Sequence, residues 1–411
     1  MPQFLKLQPP FEARLKLLEN LPQLTSEREE IDTLSALKRV LACDFYAPYP
    51  LPEFPRSTVD GYAVKSADTH GASESLPSIL TFSGEAPMGQ TVVQSVRPGQ
   101  AILIHTGGML PPGADAVVML EQTQLNNGTD LEIFSPVSLN ENVILIGEDV
   151  HTNDLVIPAG RIIRPVEIGG LMSFGVTRVE VNKRPIVGIL SSGDEIVEPA
   201  TRPQPGQVRD INTTTMSALV IESGGDPRPY PIIPDNEETL SQAVMKAYNE
   251  CDMVLITAGS SASTRDLTAD VIKKLGVPGV LAHGVNVRPG KPTILAVCDG
   301  KPVIGLPGNP VSALVIADLF VRPVIRKLLN VADAVFHPGI TARLTANVSS
   351  AAGREDWVPV ILSSRPDGYS AEPIFFKSNL IFNLVRANAL LHIEADVTGV
   401  QASAMVQVEL L

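Results

Sequence analysis

Two loops rich in proline and glycine hold the residues of this chain best suited to chemistry on an anion. Arg288-Pro289-Gly290-Lys291-Pro292 precedes the apolar run 293–297, and Leu306-Pro307-Gly308-Asn309-Pro310-Val311-Ser312-Ala313 opens an apolar helix. Proline fixes φ and lacks a donor, while glycine allows close backbone approach, so both loops read as rigid turns with exposed amides. Asn309 or Ser312 can satisfy the first N–H groups of the helix, and Pro310 suits its first turn. A helix start of that kind attracts anions, and Arg288 and Lys291 add full positive charge. Pro289, Gly290, Pro307, Gly308 and Pro310 then read as the walls of an anion-holding edge. The plainer reading of the same residues is a pair of tight turns.

Carboxylates gather in the same part of the sequence. Ser192-Gly193-Asp194-Glu195 ends one apolar run, and Asp235 and Asp266 end later ones. Like charges repel across a few ångström, so carboxylates beside an anion site make sense when a divalent cation joins them. Mg²⁺ suits these residue types, taking one or two carboxylates, waters and substrate phosphates. The alternative is that each acid caps a helix or turn. Further upstream, Asp60 before Gly61 has the form of a turn residue bonding nearby amides. Ile104-His105-Thr106-Gly107-Gly108 reads as a strand end where backbone can approach a ligand.

The elements that position these residues follow from hydrophobic period. Residues 11–18 and 31–42 repeat apolar side chains at helical spacing and predict two amphipathic helices. Pro48, Pro50, Pro52 and Pro55 mark a break. Short β-rich runs and turns from 79 to 134 suggest a compact β domain. From Ile186 the pattern changes to continuous apolar runs (186–191, 253–257) alternating with helices (213–222, 237–248, 266–275) and a strand at 229–233, as in a parallel or mostly parallel sheet buried on both faces. In such sheets ligands sit beyond the carboxyl ends of the strands, which selects 191–195, 234–236, 257–266, 288–291 and 307–310. Beyond Leu329 the chain turns strand-rich again and reads as a small C-terminal β domain.

Composition narrows the function. With 411 residues, 44% of them hydrophobic, the chain can form several cores, and its net charge of −13 argues against general nucleic-acid binding. Cys43, Cys251 and Cys298 show no metal-ligand spacing and read as free thiols of a reducing compartment. No signal peptide and no stretch of membrane-spanning length is present, so a cytoplasmic protein with no membrane contact is expected.

Taken together, Ser57-Thr58-Val59-Asp60-Gly61-Tyr62-Ala63, Thr106-Gly107, 112–118, Gly147-Glu148-Asp149, Ser192-Gly193-Asp194-Glu195, Pro289-Gly290-Lys291-Pro292 and 305–313 stand in an order that resembles the molybdopterin molybdenumtransferase family, called MoeA in bacteria and the E domain of gephyrin in animals. The resemblance implies a multidomain α/β plus β fold: a mostly parallel α/β molybdopterin-binding domain at 184–330 with residues 1–26 packed on it, a discontinuous linker domain of 27–46 and 151–183, a β-rich domain at 47–150, and a small barrel-like C-terminal β domain at 331–411. It implies a homodimer that inserts molybdenum from molybdate into adenylylated molybdopterin, releasing AMP with Mg²⁺ assisting. An adenylyltransferase would act upstream, and a molybdoenzyme or insertion chaperone downstream. Carried over by position, Asp60, Glu195, Asp266 and Lys291 are catalytic. Thr106, Ser192, Gly193, Gly259, Ser261, Arg288, Pro289, Gly290, Pro307, Gly308 and Pro310 bind the cofactor, and Asp149, Asp235 and Asp266 hold metal. The alternatives are a molybdopterin adenylyltransferase, a non-catalytic carrier or scaffold, and a tungsten-handling paralogue. Residues 258–263 depart from the family's glycine-rich run, Arg288 replaces a lysine, and Trp357-Val358-Pro359-Val360 falls where many members carry an arginine.

Overall fold

The structure, a computed structural model, describes residues 7–22, 27–258, 262–332, 339–375 and 377–411, without the side chains of 262–266. The chain divides into two compact units, one of Met1–Ala42, Gly160–Gly169 and Thr177–Leu411, the other of Cys43–Ala159 and Gly170–Val176.

In the first unit, a six-stranded sheet has the order Asp226–Pro229, Ile186–Ser192, Met253–Ala258, Lys301–Pro307, Ile294–Cys298, Pro278–His283. The first four strands are parallel, Ile294–Cys298 runs against them, and Pro278–His283 pairs antiparallel with it. Alternate residues of its apolar runs go to opposite faces: Val187, Ile189, Leu255 and Ile304 to one core, Leu190, Val254, Ile256 and Val303 to the other. Such runs have no polar side because both faces are covered. The C-terminal strands Ile340–Leu344, Gly368–Pro373, Glu355–Arg365, Ala389–Ile393 and Met405–Leu410 pair in sequence around a ring, the last returning to the first, and close a small barrel over Leu344, Val358, Val360, Leu391 and Val408. Outside the ring, Val287–Arg288 adds to the edge of Glu355–Arg365, with Val287 opposite Glu355 and Arg288 opposite Asp356.

The second unit holds a sheet ordered Ala116–Met119, Gly61–Val64, Gln100–Ile104, Ser78–Glu85, Asp130–Ile133, Thr123–Asn126. Here too period 2 sorts the faces, Tyr62, Val64 and Val118 to one core, Ala63, Ile104 and Val117 to the other.

Several expected elements differ. Residues 31–42 form no α-helix: Arg28–Asp32 is a strand paired with Arg178–Asn182, followed by a 3₁₀ turn at Thr33–Ala36. The apolar residues it was read from share no buried face, since Val40 and Leu41 are buried while Leu34 is 76% and Leu37 43% exposed, and Lys38 sits at φ 62°. The helix Pro10–Glu19 does form, but it buries Ala13 and Leu17 and leaves Phe11 64% exposed. The strand expected at 229–233 lies at Asp226–Pro229, on the sheet edge, where Pro227 and Pro229 are tolerated. The helix expected from 266 begins at Ala262.

At the start of the helix Pro165–Ser173, the Glu167 side chain is only 8% exposed and receives Arg164 Nη2 at 2.6 Å and the Arg164 backbone N–H at 2.9 Å. The Arg164 side chain's hydrogen bonds pull its pKa down from 4.5 to about 2. A depressed carboxylate contributes stability above its unfolded pKa and loses it as pH falls through the folded value. Glu167→Gln is therefore expected to destabilise its unit by about 1–3 kcal/mol at pH 7. That difference from wild type should shrink between pH 4.5 and 2, as followed by unfolding midpoints at pH 7 and pH 3.

Candidate functional site

The cation loop and the Pro307 loop line one cavity of about 800 Å³. Arg288, Pro289, Gly290, Lys291 and Pro292 form one wall, Pro307, Gly308, Asn309 and Ser312 a second, and Ala351 to Arg354 with Lys377 and Ser378 a third from the barrel. Four cationic residues thus line one volume, and among the described residues no carboxylate lines it. Behind it, Asp356 is 2% exposed and accepts Arg354 Nε at 3.1 Å and Arg288 Nη1 at 3.4 Å, so one buried carboxylate orients two guanidinium groups. The Thr293 hydroxyl donates to the Gly290 carbonyl at 2.6 Å, and the Val285 N–H donates to the Lys291 carbonyl at 3.0 Å. The loop backbone is therefore held independently of its charged side chains.

The helix start behaves differently from expectation. Asn309 does not cap with its side chain; its Nδ2 donates to Ser378 Oγ at 2.9 Å, and the Val311 N–H donates to the Ser378 carbonyl at 3.1 Å. One of the amides expected to meet an anion is already used by the barrel segment. Attraction for an anion thus comes chiefly from side-chain cations.

A second cluster gathers at neighbouring strand ends. The Ser192 hydroxyl donates to Asp235 Oδ1 at 2.7 Å, and the Asp235 N–H donates to Asp194 Oδ1 at 3.1 Å. A Cβ at Gly193 would stand 2.8 Å from Ile196 Cδ1 and 3.0 Å from Glu195 Oε2, so a larger residue there would displace those two side chains. In the other unit, the Thr106 N–H donates to Asp60 Oδ1 at 2.9 Å, a bond across strands rather than within the Asp60 turn, and this bond above all holds the Asp60 pKa below the ordinary carboxylate value.

Three family models match in order: the MoeA N-terminal region (domain I and II) at residues 9–175, a "Probable molybdopterin binding domain" at 188–327, and the MoeA C-terminal region (domain IV) at 341–411. A protein of Haemophilus influenzae named molybdopterin molybdenumtransferase is 32% identical, over 97% of this chain and 97% of its own length. The chain belongs to the MoeA family. Two solved structures of molybdopterin biosynthesis MoeA proteins from Pyrococcus horikoshii are similar, one 34% identical with a TM-score of 0.81 over 98% of this chain and 99% of that one, the other 30% identical with a TM-score of 0.87 over 99% and 100%.

Of the residues expected to act in this MoeA chain, Arg288, Pro289, Gly290, Lys291, Pro307 and Gly308 meet at the cavity, with Pro310 next to it as the first residue of the helix Pro310–Ile316. Ser192, Gly193, Glu195 and Asp235 form the second cluster, while Asp60, Thr106 and Asp149 belong to the other unit. Gly259 and Ser261 lie outside the described residues, as does the side chain of Asp266, whose backbone is in the helix Ala262–Lys273. Among the described residues no three His, Cys, Asp or Glu side chains form a metal group. Sequence reasoning missed Arg354, Asp356, Lys377 and Ser378. Arg354 and Asp356 stand just before the stretch 357–360, and the signal was a charged Arg354-Glu355-Asp356 leading into an apolar strand.

Proposed function

We propose that this MoeA-family chain takes adenylylated molybdopterin and molybdate, inserts molybdenum into the dithiolene and releases AMP. The cavity walled by Arg288, Lys291, Arg354 and Lys377 carries this reading. Molybdate is a doubly charged oxyanion, and four cations with hydroxyl donors from Ser312 and Ser378 suit it and would disfavour a neutral ligand. Cleaving a phosphoanhydride needs charge neutralisation and positioning more than a protein nucleophile. Asp194 and Asp235 are oxygen donors on adjacent strand ends and fit a hard cation such as Mg²⁺, which completes its shell with water and substrate phosphate. When bound, that ion would offset phosphate charge. Asp60, Thr106, Glu195, Asp266 and Asp149 are assigned to the same reaction on the resemblance of their motifs. The enzyme acts as a cytoplasmic homodimer between an adenylyltransferase and a molybdoenzyme or insertion chaperone.

The test is AMP release from adenylylated molybdopterin with Mg²⁺, titrating molybdate and tungstate separately and assaying metal in the recovered cofactor. Oxyanion-dependent release with molybdenum inserted supports the proposal. A tungstate preference would reassign the metal, and tight binding without AMP would make the chain a carrier.

Asp356→Asn tests the cavity from behind. Arg288 and Arg354 are half-exposed and can rehydrate, so the expected stability loss is about 1–2 kcal/mol. Their aim is lost, however, and the molybdate concentration giving half-maximal AMP release should rise about tenfold, one ion contact's worth.

A further inference from the structure

Three ionisable groups line up in the β-rich unit, and only Asp60 among them has a role so far. The strand Gln100–Ile104 pairs on one side with Gly61–Val64, Ile104 opposite Gly61, and on the other with Ser78–Glu85, Leu103 opposite Glu85. His105 follows directly, so the register sets Asp60 and Glu85 on either side of its ring. His105 Nε2 lies 3.0 Å from Glu85 Oε1, a hydrogen bond, and Nδ1 lies 3.5 Å from Asp60 Oδ1, within ion-pair reach. A neutral imidazole has one N–H and would turn a lone pair toward one of these carboxylates, whereas the imidazolium has an N–H for each.

We propose that His105 is a positioning residue for Asp60: an imidazolium anchored by Glu85 that aims the Asp60 carboxylate and offsets one of two negative charges where an anionic substrate must approach. This rests on the reading that Asp60 works in the transferase reaction. The titratable groups facing the ring from the strands on either side are Asp60 and Glu85, and the Glu85 hydrogen bond above all holds the His105 pKa above its ordinary value of 6.5. A raised histidine pKa means the charged form is present below that pKa and lost as pH rises through it. The local charge then goes from −1 to −2, which repels anions.

The experiment pairs an ¹H–¹⁵N titration of the histidine rings in the full-length protein with AMP release across pH. The His105 midpoint should lie above 6.5 and fall in Glu85→Gln and in Asp60→Asn. In wild type, kcat should decline with the same midpoint on the alkaline side, with the half-saturating molybdate concentration little changed. That limb should move to lower pH in Glu85→Gln. It should vanish in His105→Gln, which should run on the order of tenfold slower at neutral pH. A ring titration indifferent to both acidic neighbours overturns the pairing. A coupled titration with a pH profile indifferent to Glu85→Gln and His105→Gln overturns the role. A coupled titration in a wild-type protein that releases no AMP marks failure of the transferase reading, and the catalytic role falls with it while the ring pairing stands.

Discussion

Lys291→Ala is expected to lower kcat/KM for molybdate by about a hundredfold or more while leaving the unfolding midpoint almost unchanged. Lys291 is one of four cationic residues lining the cavity, and a charge placed against negative charge developing in the transition state carries roughly 3 kcal/mol of stabilisation. The side chain is exposed, and the loop's shape rests on backbone bonds, from the Val285 N–H to the Lys291 carbonyl and from the Thr293 hydroxyl to the Gly290 carbonyl. Truncation therefore removes charge without removing the fold, and stability should change by no more than about 0.5 kcal/mol. Wild-type oxyanion dependence in this variant would show that the cavity is not the molybdate site.

Gly290→Ala should fail in the opposite manner, through structure first. Gly290 has φ +120°, where an L side chain is strained, and its Cβ would stand 2.4 Å from Cγ1 and 2.5 Å from Cδ1 of Ile316, which is fully buried. Backbone strain and overpacking each cost about 1–3 kcal/mol, so a loss of roughly 3 kcal/mol or more is expected, and several degrees in the unfolding midpoint. Any shift that relieves the clash also moves Arg288 and Lys291, so activity should fall with stability. In an Ile316→Ala background, which carries its own cavity cost, Gly290→Ala should cost only the strain, and the difference from its cost in wild type measures the clash. A Gly290→Ala protein with an unchanged midpoint would show that the loop is softer than its contacts imply.

How far the sequence was legible varies with how local the cause is. The runs 186–191 and 253–257 announced buried strands because burial on both faces leaves no polar alternation to confuse them. The cation loop was visible for the same reason, since proline and glycine impose their geometry within a few residues. Residues 31–42 misled because apolar spacing shared by a helix and a strand with turn does not decide between them; pairing of Arg28–Asp32 with residues about 150 positions later does. Arg354 and Lys377 could not be placed beside Lys291 by any local rule. Their convergence depends on the barrel, and on the Asn309 side chain reaching Ser378.

The short parallel ladder of Val287–Arg288 against Glu355–Asp356 has a kinetic corollary. Val287 and the first residue of the cation loop, Arg288, are at once the outermost strand of the barrel's sheet, and Asp356 clamps the arginines on both sides of that seam. Loop and barrel edge consequently unzip in one event, and their amides should exchange hydrogen for deuterium with a shared opening free energy, in a single cooperative block.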